Sequence, residues 1–155
     1  MAIEVSLSCV LDAPPEAVWE RAGRVSGIND ELWPFARMKV PAQLDRIAAP
    51  PHAVGAPPVH TWMLAFGFLP IERRAIQFDV LEEGRFVDCS IGWMNGRWRH
   101  DRSVVAREDG TTVLTDKLVL EPRLRLMSAL LRPVVTRMFR RRHRRLRRHF
   151  RPAAT

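Results

Sequence analysis

Cysteine is scarce in this 155-residue chain: Cys9 and Cys89 are the only two. That excludes a disulfide framework and a cysteine-based metal site. It predicts reduced, buried thiols and a cytoplasmic protein. The opening Met1-Ala2-Ile3-Glu4 has no basic stretch followed by an apolar run, so no secretory signal is read there. Ile47 to Ile71 carries no Asp, Glu, Lys or Arg. It is not a membrane span, because Pro50, Pro51, Pro57 and Pro58 break its first half and the remainder is too short. There is no glycine-rich phosphate loop, no nucleophile elbow and no metal-ligand spacing, since His52, His60, His143 and His149 lack partners at ligand distance. No cofactor or metal is expected. Internal repeats and an interdomain linker are absent as well, so residues 1–155 read as one domain.

The last nineteen residues contain no acid at all. Residues 137–155 hold nine arginines and no Asp or Glu, whereas the whole chain carries 25 Lys+Arg and 17 Asp+Glu, leaving the body near neutral. That distribution argues against a nucleic-acid binder, which is basic over a whole face. Lysine is rare throughout, so the choice of arginine at this end reflects a bias of the whole chain.

What is present is organised around one long helix, read from Leu124 to about Phe150, with its basic end starting near 137. Met127, Leu131, Val134, Val135, Met138, Phe139, Leu146 and Phe150 recur at helical spacing on one stripe. Arg137, Arg140, Arg141, Arg144, Arg145, Arg147 and Arg148 occupy the opposite face. A helix of roughly 40 Å with one apolar stripe must lie across something broad and apolar.

The rest of the chain supplies a sheet. Ile3, Val5, Leu7, Cys9 and Leu11 alternate with more polar neighbours, as in a half-buried strand. Asp12 can cap a helix that begins at Pro14-Pro15 and stops at Gly23, and a second short helix runs from Ser26 to before Pro34. Arg37 to Ile47 is weakly strand-like, Ala48 to Pro58 reads as a semi-rigid loop, and Val59 to Phe68 is a strand with Trp62, Leu64 and Phe66 on one face. Three hairpins then follow. A turn at Glu83-Gly84 sets Ile76, Phe78 and Val80 opposite Ile91, Cys89 and Val87. A turn at Asn95-Gly96 sets Trp93 opposite Trp98 and Cys89 opposite Arg102. A three-residue loop, Asp109 to Thr111, sets Val104 opposite Asp116, leaving Asp116 diagonal to Arg102. On these registers Arg74 to Glu121 is a four-stranded meander with one apolar face.

The order of elements resembles the SRPBCC superfamily, which shares the helix-grip fold of START lipid-transfer domains and pollen-allergen-like proteins. The resemblance is carried by Ala13-Pro14-Pro15-Glu16-Ala17-Val18-Trp19, Trp98-Arg99-His100, Gly110-Thr111-Thr112-Val113-Leu114-Thr115-Asp116 and the Arg/His-rich helix end. It is nearest to the bacterial branch called polyketide cyclase/dehydrase-like. It implies an α+β fold: a curved antiparallel sheet of six to seven strands wrapped around a long C-terminal α-helix, with two short helices after the first strand. It also implies a cavity between sheet and helix. It supplies no catalytic residues, because the superfamily shares no catalytic motif.

Three ionisable side chains fall on the otherwise apolar face: His100, Arg102 and Asp116. A buried charge is costly unless paired. Arg102 and Asp116 therefore read in two ways, as an ion pair that satisfies itself or as the polar anchors of an apolar pocket. In the second reading Arg102 holds a carboxylate or enolate oxygen and His100 moves a proton. The expected ligand-binding set is Trp62, Phe66, Phe78, Cys89, Ile91, Trp93, Trp98, His100, Arg102, Asp116 and Leu118 from the sheet, with Met127, Leu131 and Val135 from the helix. The expected function is binding of a small hydrophobic or aromatic, lipid- or polyketide-like ligand, as a carrier or sensor. Two alternatives stay open: a polyketide cyclase or aromatase using the polar trio, and a lipid-transfer protein. The latter would dock on anionic membranes through Arg140, Arg141, Arg144, Arg145 and Arg148. The chain is expected to be a monomer or homodimer.

Overall fold

Alternating apolar residues from Ile3 to Leu11 build strand β1, whose odd-numbered side chains turn inward. In the computed structural model, which describes residues 2–42, 44–46 and 54–151, two short helices follow, α1 (Pro15–Gly23) and α2 (Val25–Leu32). Proline at the first positions of α1 suits a first turn whose N–H groups have no intrahelical partner. Asp12 does not cap it; the N-cap residue is Pro14, with no side-chain cap. Six further strands come next: β2 (Ala36–Lys39), β3 (Val59–Ala65), β4 (Leu69–Glu82), β5 (Arg85–Gly92), β6 (Asn95–Ala106) and β7 (Thr112–Pro122). A single 3-10 turn, Arg125–Met127, leads into helix α3 (Ser128–His149), so the long helix starts four residues later than the sequence suggests. The strand expected over Arg37–Ile47 is limited to β2. Most of the expected loop over Ala48–Pro58 lies outside the described residues.

The seven strands form one antiparallel sheet in the order β1-β7-β6-β5-β4-β3-β2, curled around α3. This is a helix-grip fold. Among the described residues no helix is long and apolar enough to cross a membrane.

The helix packs tightly against one half of the sheet. Val135 and Phe139 join Ile3, Val5, Trp98, Leu118 and Leu120 in one buried cluster, and Leu146 joins Cys9, Leu11, Val104 and Leu114 in another. Burial raises the Cys9 thiol to about 11, so it stays protonated, an inert core residue. Cys89 is free as well but only half-buried. At the other edge the Asn29 amide exchanges two hydrogen bonds with the Met38 backbone, at 2.7 and 3.0 Å, and so ties α2 to β2.

All three predicted registers are corrected, the first of them only beyond a bulge. In the β4–β5 hairpin Val80 pairs with Val87 as expected, but a bulge at Asp79 shifts the pairing beyond it, so Phe78 faces Asp88 and Ile76 faces Ser90. In the β5–β6 hairpin Asn95-Gly96 is not the turn. A type I′ turn needs positive φ at both central residues, and neither Asn95 nor Gly96 has it. The chain reverses at Trp93-Met94, and Cys89 pairs with Arg99 in place of Arg102. Gly92 and Glu72 hold this geometry. A Cβ on Gly92 would lie 2.0 Å from Glu72 Oε1, and the Glu72 carboxylate accepts hydrogen bonds from Met94 N–H (3.0 Å) and Asn95 Nδ2 (3.3 Å). In the β6–β7 hairpin the loop is longer than expected, and Arg102 lies directly opposite Asp116. That two-residue difference keeps every side chain on its expected face.

Candidate functional site

Corrected registers decide which side chains meet inside. The even-numbered residues of β6 and β7 turn toward α3, as expected: Trp98, His100 and Arg102 on one strand, Asp116 and Leu118 on the other. Cys89, Ile91 and Trp93 do not. The odd offset in the β5–β6 register sends them to the convex face, where Ile91 is 61% and Trp93 58% exposed. Trp62 also faces outward, with its ring 5.1 Å from that of Trp93. Phe66 sits past the end of β3 with φ of 52° and is exposed. Phe78 and Leu118 are buried in the core, and Met127 lies in the 3-10 turn; none of the three borders the cavity.

A cavity of about 240 Å³ opens between α2, the β2–β5 half of the sheet and the first turns of α3. Of the residues expected from sequence, Trp98, His100, Arg102, Leu131 and Val135 lie on its wall. Met38, Met63, Val134 and Met138 complete an apolar body that sequence patterning did not assign. Met63 and Met138 belong to strand and helix faces legible as apolar; their meeting depends on how far the sheet curls.

Beside the cavity lies a network of buried ionisable groups, in which Glu31 Oε1 alone is buried without a hydrogen-bond partner among the described residues. Asp116, fully buried, accepts four hydrogen bonds: from His100 Nε2 (2.7 Å), Arg102 Nε (2.7 Å), Arg102 Nη2 (3.0 Å) and His143 Nε2 (2.7 Å). An ionised carboxylate only accepts, so both imidazoles must carry their proton on Nε2. The same Arg102 guanidinium donates to Glu31 Oε2 at 3.3 and 3.4 Å, and Arg142 Nε reaches that oxygen at 2.9 Å. With neutral imidazoles the two arginines and two carboxylates balance. Burial would raise the Asp116 carboxyl, but the Arg102 charge and the two imidazole hydrogen bonds outweigh it and hold it well below the usual range. Burial would likewise lower the Arg102 guanidinium, yet Asp116 and Glu31 raise it. Arg142 is pushed down by burial and by the nearby Arg102 charge. Edge-on contacts with Phe86 and Phe139, both with ring centroids at 5.4 Å, fix the His100 ring.

Sequence reasoning missed Glu31, Arg142 and His143. A signal existed for the last two: the apolar stripe of α3 skips from Phe139 to Leu146, and Arg142 and His143 occupy the intervening inward positions. Glu31 stands three residues after Ile28, on the same inward side of α2. Arg74 and Asp88 were also unassigned, yet both border the cavity. Burial lowers the Arg74 guanidinium against the attraction of Glu72 and Asp88. It raises the Asp88 carboxyl, against the attraction of His100 and Arg74. Among the described residues no cluster of His, Cys, Asp or Glu is arranged to hold a metal ion.

Solved structures share this architecture at low identity. Protein CV1439 from Chromobacterium violaceum superposes with a TM-score of 0.73 at 17% identity, covering 97% of this chain and 99% of that one. A START superfamily protein from Mycobacterium smegmatis gives 0.69 at 10% identity, covering 96% and 97%. The ZhuI aromatase/cyclase from Streptomyces sp. R1128 gives 0.65 at 14% identity, covering 96% and 93%. The expected helix-grip fold is therefore the observed one. Among curated proteins none matches the sequence. Residues 9–150 match a family model described as "Domain of unknown function (DUF8410)".

Proposed function

We propose, from the premise that the chain belongs to the family described as a domain of unknown function (DUF8410), that it binds a small, largely apolar molecule between α3 and the sheet, as a carrier or sensor. The observation that carries this reading is the cavity itself: about 240 Å³, walled by Met38, Met63, Leu131, Val134 and Met138, with a few polar groups converging at one side. Ligand sites commonly have that composition. Methionine-rich walls adapt to ligand shape. The volume is at the small end for such sites, room for about eight waters at ~30 Å³ each, which favours a compact ligand. An aromatase/cyclase and a START superfamily protein on the same fold support the reading. The cyclase alternative has less behind it, because His100, Arg102 and Asp116 direct their hydrogen bonds at each other.

Native mass spectrometry of the protein purified from its own host tests the proposal. A retained small molecule is expected, and Leu131→Trp, which fills the cavity, should expel it. Protein that emerges at its bare mass and takes up no apolar probe overturns the reading.

A second reading, docking on anionic membranes, draws on one specific surface. Trp33 and Phe35 are each 50% exposed, and Phe66 and Phe68 lie beside them, exposed as well. Arg145 donates to the Trp33 carbonyl at 2.7 Å, and the Arg141 guanidinium lies 4.8 Å from the Phe35 ring centroid. Aromatic groups beside cations suit a lipid interface. Co-sedimentation with vesicles containing an anionic phospholipid should show binding that survives physiological salt and that Phe68→Ser weakens. Binding that vanishes at that salt would reduce the surface to charge attraction alone.

A further inference from the structure

Arg74 on β4 points into the cavity from the side opposite α3, and its Cζ sits 4.1 Å from the centroid of the Trp98 ring. Among the described residues the guanidinium makes no side-chain hydrogen bond and no ion pair within 4.0 Å; Glu72 and Asp88 act on it only at longer range. A cation–π contact engages the charge and leaves the N–H donors unmatched. The nearest acids do not close the gap. Glu72 is committed to Met94 and Asn95, and Asp88 Oδ1 is buried with no hydrogen-bond partner, 3.9 Å from His100 Nδ1. Arg102, the cation that sequence suggested, is already saturated by Asp116 and Glu31.

We propose that Arg74 is the anchor of the cavity and that the ligand is a small monocarboxylic acid with an apolar or aromatic body, its carboxylate paired with the Arg74 guanidinium. This rests on reading the cavity as a ligand site. A planar carboxylate matches the guanidinium fork with two parallel hydrogen bonds. A phosphate dianion does not fit: one cation would face two added charges with the Glu72 carboxylate close by. A neutral ligand would cover the guanidinium without matching its charge, which is costly. The protonated form of Asp88, favoured by burial, can donate a further hydrogen bond to the bound carboxylate.

Matched pairs of probes separate the anchor from the cavity: octanoate against 1-octanol, and 1-naphthoate against 1-naphthalenemethanol, titrated calorimetrically into the full chain. The wild-type protein should prefer each acid over its alcohol by roughly tenfold or more, the scale of a charge-assisted bidentate contact. Arg74→Met should abolish that preference and leave alcohol affinity within about twofold, while Arg74→Lys should keep part of it. Alcohols that bind as tightly as acids to wild-type protein overturn the anchor and leave the cavity reading standing. Wild-type protein that binds no acid and no alcohol overturns both. The wild-type comparison needs no variant, so the proposal stays falsifiable even if Arg74→Met fails to fold.

Discussion

Two groups of buried charge share the concave face of one sheet, and they differ in how far they are satisfied. On β6 and β7, Arg102, Asp116 and His100 join Glu31, Arg142 and His143 in a network where Asp116 uses four acceptor contacts. On β4 and β5, Asp88 Oδ1 is buried without a hydrogen-bond partner, and the Arg74 guanidinium borders the cavity against the Trp98 ring with no side-chain hydrogen bond among the described residues. A satisfied cluster holds helix and sheet in one arrangement. A less satisfied one leaves hydrogen-bonding capacity facing the cavity, open to the proposed ligand. The first cluster serves the fold, and the second is where the proposed ligand would bind.

The largest expected effect is in the network around Asp116. Asp116→Asn should cost about 3–5 kcal/mol in chemical denaturation, because Arg102 would keep its charge without its main partner. A loss below about 1 kcal/mol would mean the network is not structural. Next, Arg102→Met should be nearly as costly, and adding Asp116→Leu should recover at least half, since the remaining Glu31–Arg142 pair is balanced. A double variant no better than the single one breaks the claim that charge balance is the issue.

The two carboxyls should also give opposite pH signatures. The folded Asp116 value lies below its unfolded value of about 3.9, so its contribution is present at neutral pH and lost as pH falls below about 4. The folded Asp88 value is raised, so its ionisation opposes folding as pH rises above that range. Asp88→Asn should therefore raise the denaturation midpoint at pH 7 and lose that advantage toward pH 4. An advantage that grows toward acid would reverse the assignment. The smallest effect is expected for Arg74→Met on stability. Removing a cation without hydrogen bonds should change the midpoint by less than about 1 kcal/mol or stabilise the chain, in contrast to Arg102→Met.

Much of this was legible in the amino-acid sequence, for reasons tied to particular residues. Helix α3 and strand β1 announce themselves by periodicity. The inward face of Trp98, His100 and Arg102 was readable despite a misjudged loop, because that β6–β7 error was even and preserves sides. The error at Asn95-Gly96 was odd, so it puts Cys89, Ile91 and Trp93 inward where the structure has Asp88 and Ser90. The dipeptide is a strong turn signal, and the Glu72 carboxylate overrides it by binding Met94 and Asn95. Arg142 and His143 were hidden among arginines that do face water, such as Arg140 and Arg144. No local pattern shows that a charge on an arginine-rich helix points inward; only its distant partners, Glu31 and Asp116, require it.

The bulge at Asp79 has a consequence for how this cavity can change over time. Strand β4 is read in two frames: even residues face inward up to Phe78, and Leu81, an odd residue, faces inward beyond it. Deleting Asp79 would merge the frames without moving Arg74, Ile76 or Phe78 from their partners Gly92, Ser90 and Asp88. Adding one residue between Arg74 and Phe78 would do the reverse. It would rotate Arg74 to the convex face and, where the added residue follows Ala75, bring that uncharged neighbour inward. A single codon gained or lost there therefore changes the charge of the pocket more than most substitutions within it, and related chains that differ in length at this point are where a change of ligand class is to be sought.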